Sequence, residues 1–178
     1  MSDIFSKKVM VVGLGYVGLP SAALIAEKGF DVIGYDVNHS IVNKINKGEI
    51  HIKEPGLESL VKKVVNAQKL RATIKPEAAD IFIITVPTPI YSDKKADISC
   101  ITSVINSISS SLEKGNLIIL ESTSPVGTTK KICKLISELR PDLKCPADGE
   151  GSSDLNIAYS PERILPGNTI EELKSNSR

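Results

Sequence analysis

Tryptophan is missing from this 178-residue chain, and phenylalanine and tyrosine number only three and four. So few rings cannot build the stacked aromatic platforms on which single-stranded nucleic acid is held. An excess of charge of one sign is missing too, since 22 Lys+Arg stand against 21 Asp+Glu for a net charge of +1. That balance gives no electrostatic reason to expect nucleic acid or an anionic membrane as the main partner. No run approaches 18 uncharged apolar residues, so no membrane span is expected. The opening stretch MSDIFSKKVMVVG puts Asp3 and two lysines before a short apolar run that flows into a glycine motif, which is not a signal peptide. Cysteine is scarce: Cys100, Cys133 and Cys145 form no CxxC pair. An odd, scattered set argues against a disulfide framework or a structural zinc site and suits a reducing cytoplasm.

What is present is alternation. Short apolar runs and helical patterns follow one another along the chain, the signature of a parallel sheet with helices on both faces. The runs at Lys8–Val12, Phe30–Tyr35, Leu70–Ile74, Ile81–Val86, Leu117–Leu120 and Leu155–Tyr159 read as six strands. Helical spacing is expected from Val17 to Gly29, over 40–46 and 57–67, from Ile98 to Leu112 and from Val126 to Leu139. Residues 141–153 read as one long polar loop. Six strands make two βαβαβ halves, so the expected fold is α/β: a doubly wound, Rossmann-type parallel sheet in a single domain, with its ligand crevice at the strand C-termini.

Gly13-Leu14-Gly15-Tyr16-Val17-Gly18 follows the first strand and opens the first helix. Gly13 permits a tight turn, Gly15 lets the backbone approach a pyrophosphate, and Gly18 lets helix pack closely on strand. Asp36 lies 23 residues beyond Gly13 at the end of the second strand, placed to accept hydrogen bonds from ribose hydroxyls. A carboxylate there repels a 2′-phosphate, and Val37, Asn38 and His39 offer no arginine, so NAD is expected over NADP. Two further loops leave strand C-termini on the same side, Val86–Pro89 and Glu121–Thr129. The hydroxyls of the second are either helix caps or groups facing the nicotinamide and a reacting oxygen.

Five stretches, VVGLGYVGLP, INKGEIHIKEPGL, VPTPI, ESTSPVGTT and IAYSPERILPGN, together resemble the N-terminal domain of the UDP-glucose/GDP-mannose dehydrogenase family. The likeness runs from about Val9 to Leu173 and is strongest to the branch that oxidises UDP-N-acetyl-D-mannosamine. Such enzymes convert the sugar C6 alcohol to a carboxylate with two NAD in succession, here toward a uronate for surface polysaccharide. The resemblance implies cofactor contacts at Gly13, Gly15, Tyr16, Val17, Gly18, Asp36, Pro87, Thr88, Thr128 and Thr129. It places Thr123 near the reacting carbon and a water, makes Glu162 a general base or water-positioning group, and puts Arg163 and Ile164 against the nucleotide sugar.

Pro166 stands where the UDP-glucose branch carries a second glutamate, and Ser160 where close relatives often have cysteine. UDP-N-acetylglucosamine and UDP-glucose remain alternative substrates. The family's catalytic cysteine, lysine and asparagine have no counterpart before Arg178, and Cys100, Cys133 and Cys145 match none of their motifs. The chain is therefore expected to be the NAD-binding domain of a larger dehydrogenase, inactive alone, whose central and C-terminal sugar-binding domains lie elsewhere and which forms a homodimer or higher oligomer. His39 and His51 receive no catalytic role. A reading of another class is a stand-alone NAD-sensing module, disfavoured by the sugar-facing Glu162 and Arg163.

Overall fold

The computed structural model describes residues 6–91, 95–146, 152–162, 164 and 167–175. Its strands are β1 (Lys8–Val12), β2 (Asp31–Tyr35), β3 (Leu70–Thr73), β4 (Ile81–Ile84), β5 (Leu117–Leu120) and β6 (Asn156–Tyr159). Its helices are α1 (Gly18–Glu27), α2 (His39–Asn46), α3 (Leu57–Asn66), α4 (Ser99–Ile108), α5 (Thr128–Leu139) and α6 (Thr169–Ser175). The six strands form one parallel sheet in the order β3-β2-β1-β4-β5-β6, the doubly wound arrangement expected. The switch point falls between β1 and β4.

Side chains alternate across the strands and divide the core in two. Val9 and Val11 of β1 face the cluster built with α1, α2 and α3, while Met10 and Val12 face the cluster built with α4 and α5. Phe82 and Ile84 of β4 join the second and Ile83 the first, so the central strands are buried on both faces.

Several boundaries differ from the sequence pattern, each for a local reason. β4 ends at Ile84 because the Thr85 hydroxyl turns inward to bond backbone carbonyls and Val86-Pro87 leads away. α4 stops at Ile108, and Ser109–Ser111 tighten into a 3-10 turn, as a serine run with weak helix propensity allows. α5 starts at Thr128, after Gly127 at φ +87°, with Thr128 bonding back to Pro125. The polar stretch at 141–153 is described only at its two ends. α6 is an element the sequence pattern did not indicate; it buries Thr169 and Ile170 against α1 and α3.

β3 is an edge strand whose outer groups are paired by a side chain. Asn46, at the end of α2, accepts from the Ala72 N–H at 2.7 Å and donates to the Ala72 carbonyl at 2.9 Å. The amide thus stands in for one rung of a missing neighbour and blunts the edge. Asn46→Ala is expected to lower the unfolding free energy by about 1 kcal/mol, measured by urea titration, and to speed amide exchange at Ala72.

Candidate functional site

A cleft of about 770 Å³ opens at the C-terminal ends of the strands, a size within the range of small-molecule and cofactor sites. Its near wall is the glycine turn. Gly13 takes φ +90° and its N–H donates to the Tyr35 carbonyl at 2.8 Å, turning the chain sharply off β1. At Gly18 a Cβ would fall 1.8 Å from the Gly13 carbonyl oxygen and 2.4 Å from the Thr85 hydroxyl. Only glycine lets α1 start this close to the sheet. Leu14 is fully buried and lies over Gly34 of β2, where a Cβ would come within 2.7 Å of it. The turn is therefore pinned from below by packing.

Thr85, which the sequence reading passed over, completes the pin. Its hydroxyl lies 2.9 Å from the Val12 carbonyl and 2.7 Å from the Gly13 carbonyl, joining β4 to the glycine turn. A threonine closing the apolar run IFII was the only signal available for it.

Gly15 is different, because a Cβ built on it meets nothing within 4 Å. Nothing in the chain demands glycine there, so the demand comes from what the cleft must admit. α1 begins with no side-chain cap and no acidic residue in its first turn. The N–H groups of Gly15, Tyr16 and Val17 make no hydrogen bond among the described residues. Unpaired donors at a helix start, beside an open glycine, fit a pyrophosphate.

Asp36 accepts from the Leu14 N–H at 2.9 Å through one carboxylate oxygen and from the Asn38 N–H at 2.9 Å through the other. It is half-buried, lines the cleft and keeps lone pairs for a ribose. Asn38 spends its side chain capping α2, by accepting from the Ser40 N–H at 2.9 Å. No basic side chain lines the cleft among the described residues, whereas Asp36, Glu121 and Glu162 do. A dinucleotide's anions would therefore rest on backbone donors, and a 2′-phosphate would meet a carboxylate.

The far wall comes from the loops after β4, β5 and β6, which are tied together. Thr88 donates to the Thr123 carbonyl at 2.6 Å, and Ser122 donates to the Val86 carbonyl at 2.8 Å. The Glu162 N–H donates to the Glu121 carbonyl at 3.3 Å, and Ser124 and the Tyr159 hydroxyl approach at 3.3 Å. These contacts bring Pro87, Thr88, Thr123 and Glu162 to the same cleft as Gly13, Gly15, Tyr16, Val17 and Asp36. Gly18 lies beneath it. Glu121, the first residue of ESTSPVGTT, is buried and lines the cleft beside Glu162 as a second carboxylate.

Other expected residues stand apart. Thr128 is 3% exposed and its hydroxyl donates to the Pro125 carbonyl at 2.7 Å, while Thr129 is half-buried; neither lines the cleft. The hydroxyls of Ser122 and Thr128 in ESTSPVGTT thus bond backbone carbonyls, while of its hydroxyl residues Ser122 and Thr123 line the cleft. Ile164 is half-buried and does not line it either. Arg163 and Pro166 lie outside the described residues. Cys100 lines the cleft from α4 next to Ser99 and Ser103.

The two glycines give opposite predictions. Gly18→Ala is expected to cost about 3 kcal/mol or more by overpacking against backbone. Gly15→Ala is expected to change stability by no more than about 1 kcal/mol. Paired urea titrations check both, and equal losses would contradict the assignment of the two roles.

Residues 7–178 match the UDP-glucose/GDP-mannose dehydrogenase family, NAD binding domain. A UDP-N-acetyl-D-mannosamine dehydrogenase of Campylobacter jejuni is 52% identical over 172 residues, covering 96% of this chain and 42% of that protein. An NDP-N-acetyl-D-galactosaminuronic acid dehydrogenase of Ralstonia nicotianae is 46% identical over 176 residues, covering 99% and 42%. In three dimensions the chain is similar to the UDP-N-acetyl-mannosamine dehydrogenase of Staphylococcus aureus, with a TM-score of 0.83 at 40% identity over 93% of this chain and 39% of that one. The chain spans about two fifths of the length of these relatives. With its glycine turn, the carboxylate of Asp36 at the end of β2 and its parallel sheet, this chain belongs to the UDP-glucose/GDP-mannose dehydrogenase family, whose NAD-binding domain it matches.

Proposed function

We propose that this chain is the NAD-binding part of a UDP-N-acetyl-D-mannosamine 6-dehydrogenase, which oxidises the sugar C6 alcohol to a carboxylate. The observation that carries the reading is the single cleft holding the glycine turn and Asp36 together with Thr123 and Glu162. When bound, NAD accepts hydride from the sugar carbon. The chain's own residues do the rest. The α1 N-terminus and Gly15 hold the pyrophosphate, and Asp36, fixed by the Leu14 and Asn38 N–H groups, orients the ribose.

Thr123 is exposed at the cleft, with its carbonyl held by Thr88, so its hydroxyl is free to position water near the reacting carbon. Glu162 orients or deprotonates that water for the hydrolysis that releases the carboxylate, a role in which its backbone bond to Glu121 keeps it at the cleft. Arg163 and Ile164 would meet the nucleotide sugar, and Thr128 and Thr129 would reach the cofactor if the Pro125–Thr129 turn shifts. The near-neutral chain has no need of a basic surface, because two anionic ligands are held by helix N-termini and a few side chains.

The covalent nucleophile belongs, in this reading, to a further domain contributed by the rest of a longer protein that acts as a homodimer or larger assembly in the cytoplasm. The reading frame beyond Arg178 is expected to encode a cysteine-bearing second domain, and a stop codon there would overturn the domain assignment.

Calorimetry on the 178-residue chain tests the cofactor half. NAD should bind, and Asp36→Ala should weaken binding about tenfold, since it removes hydrogen bonds to a charged group worth about 1.5 kcal/mol. Unchanged affinity would sink the ribose assignment. The isolated chain is expected to produce no NADH from UDP-N-acetylmannosamine; measurable NADH would refute the assignment of the nucleophile to another domain.

A further inference from the structure

The segment from His51 to Leu57 belongs to one of the shared sequence stretches, yet none of its residues lines the cofactor cleft. Glu54 within it is only 6% exposed. Its two carboxylate oxygens accept the Gly167 N–H at 2.9 Å and the Thr169 N–H at 2.6 Å, across more than a hundred residues of sequence. Those donors sit at the end of the loop that carries Glu162 and at the start of α6. Thr169 and Ile170 are themselves buried, and Ile170 lies 3.9 Å from where a Cβ on Gly56 would be. The other end of the loop is held by Ser160, whose N–H donates to the Leu120 carbonyl at 3.0 Å, and by Glu162, whose N–H donates to the Glu121 carbonyl at 3.3 Å.

The described residues on the two sides are thus each held, Ser160 and Glu162 on the sheet and Gly167 and Thr169 on a single buried carboxylate from the opposite half of the chain. We propose that Glu54 is a positioning residue that, through Gly167 and Thr169, sets where Glu162 stands at the cleft. What Glu162 does there rests on the dehydrogenase reading above; the mechanical link does not. A glutamine of the same shape could satisfy one N–H, but its own NH₂ would face the other.

Burial raises the carboxyl pKa of Glu54, and hydrogen bonding from Gly167 and Thr169, backbone first, more than offsets this, leaving it below its ordinary 4.5. Its contribution is therefore present above about 4.5 and lost as pH falls through the depressed value. The charged groups around it are Glu27 of α1, Lys63 and Glu58 of α3, Glu171 and Lys174 of α6, and Lys44, His51 and Lys53 beside the turn. Glu27 pairs with Lys63 at 2.9 Å, and Lys174 reaches Glu171 at 3.9 Å. Glu27 is also held low, chiefly by Lys63, so its titration persists when Glu54 is replaced.

The test is residue-resolved amide hydrogen exchange on the 178-residue chain, corrected for intrinsic rates, in wild type and Glu54→Gln. In the variant the Gly167 and Thr169 amides should exchange about tenfold faster or more, and the Glu162 amide should accelerate with them while β1 and α3 hold theirs. If Gly167 and Thr169 open and Glu162 is unaffected, Glu54 merely caps α6 and the proposal fails. A wild-type pH series decides the matter even if the variant does not fold. Protection at Glu162 should fall together with that at Gly167 as acid titrates Glu54, while amides of β1 and α3 keep theirs; independent behaviour, or a loss shared by the whole sheet, overturns the link. NAD affinity, measured in parallel, should survive Glu54→Gln. Loss of NAD binding by wild type would defeat the cofactor reading and leave the exchange result intact.

Discussion

The contact between Gly18 and the Gly13 carbonyl is the constraint on which the site depends. Because position 18 has no side chain, α1 starts directly against the end of β1, where a Cβ would fall 1.8 Å from that oxygen. The helix dipole and its first free N–H groups are thereby aimed along the strand C-termini. The same close approach leaves the Val12 and Gly13 carbonyls beside Thr85, whose hydroxyl fastens the turn to β4. β4 in turn leads into the loop that carries Pro87 and Thr88, so the geometry of one wall of the cleft is transmitted to the other through two residues.

Electrostatics then decide what the cleft admits. Three carboxylates and no cation line it among the described residues. Such a surface would repel a polyanion, yet it suits a dinucleotide whose phosphates meet backbone donors and whose ribose meets a carboxylate. Asp36 serves both fold and site, since the oxygens that would meet a ribose also accept the Leu14 and Asn38 N–H groups. Its orientation is set before any ligand arrives, which lowers the entropic cost of binding.

The far side of the cleft is assembled differently, from the loops after β4, β5 and β6. Thr88 on Thr123, Ser122 on Val86 and Glu162 on Glu121 are hydrogen bonds between successive strand ends. They hold because the parallel register sets those ends side by side. The loop that follows β6 needs a second tether, and a buried carboxylate from before α3 supplies it. Glu54 of HIKEPGL thus meets Gly167, near the end of SPERILPGN, and Thr169 just beyond it.

The sequence by itself determined the sheet, the glycine turn and Asp36, because those depend on short-range pattern: runs of apolar residues, glycines at fixed spacing and an acid at a strand end. It also marked Thr123 and Glu162 through local motifs. It did not disclose Thr85, the cleft position of Glu121 or the partnership of Glu54 with Gly167 and Thr169, since each takes its meaning from a neighbour far away along the chain. Nor could it say which hydroxyls of ESTSPVGTT are taken by backbone: Ser122 and Thr128 are, because the Val86 and Pro125 carbonyls lie within reach. α6 escaped notice for the same reason, as a seven-residue helix has little stability of its own and forms here by burying Ile170 under a cap from Glu54. Local pattern fixes which residues can make a dinucleotide site; only the meeting of strand ends in space decides which of them do.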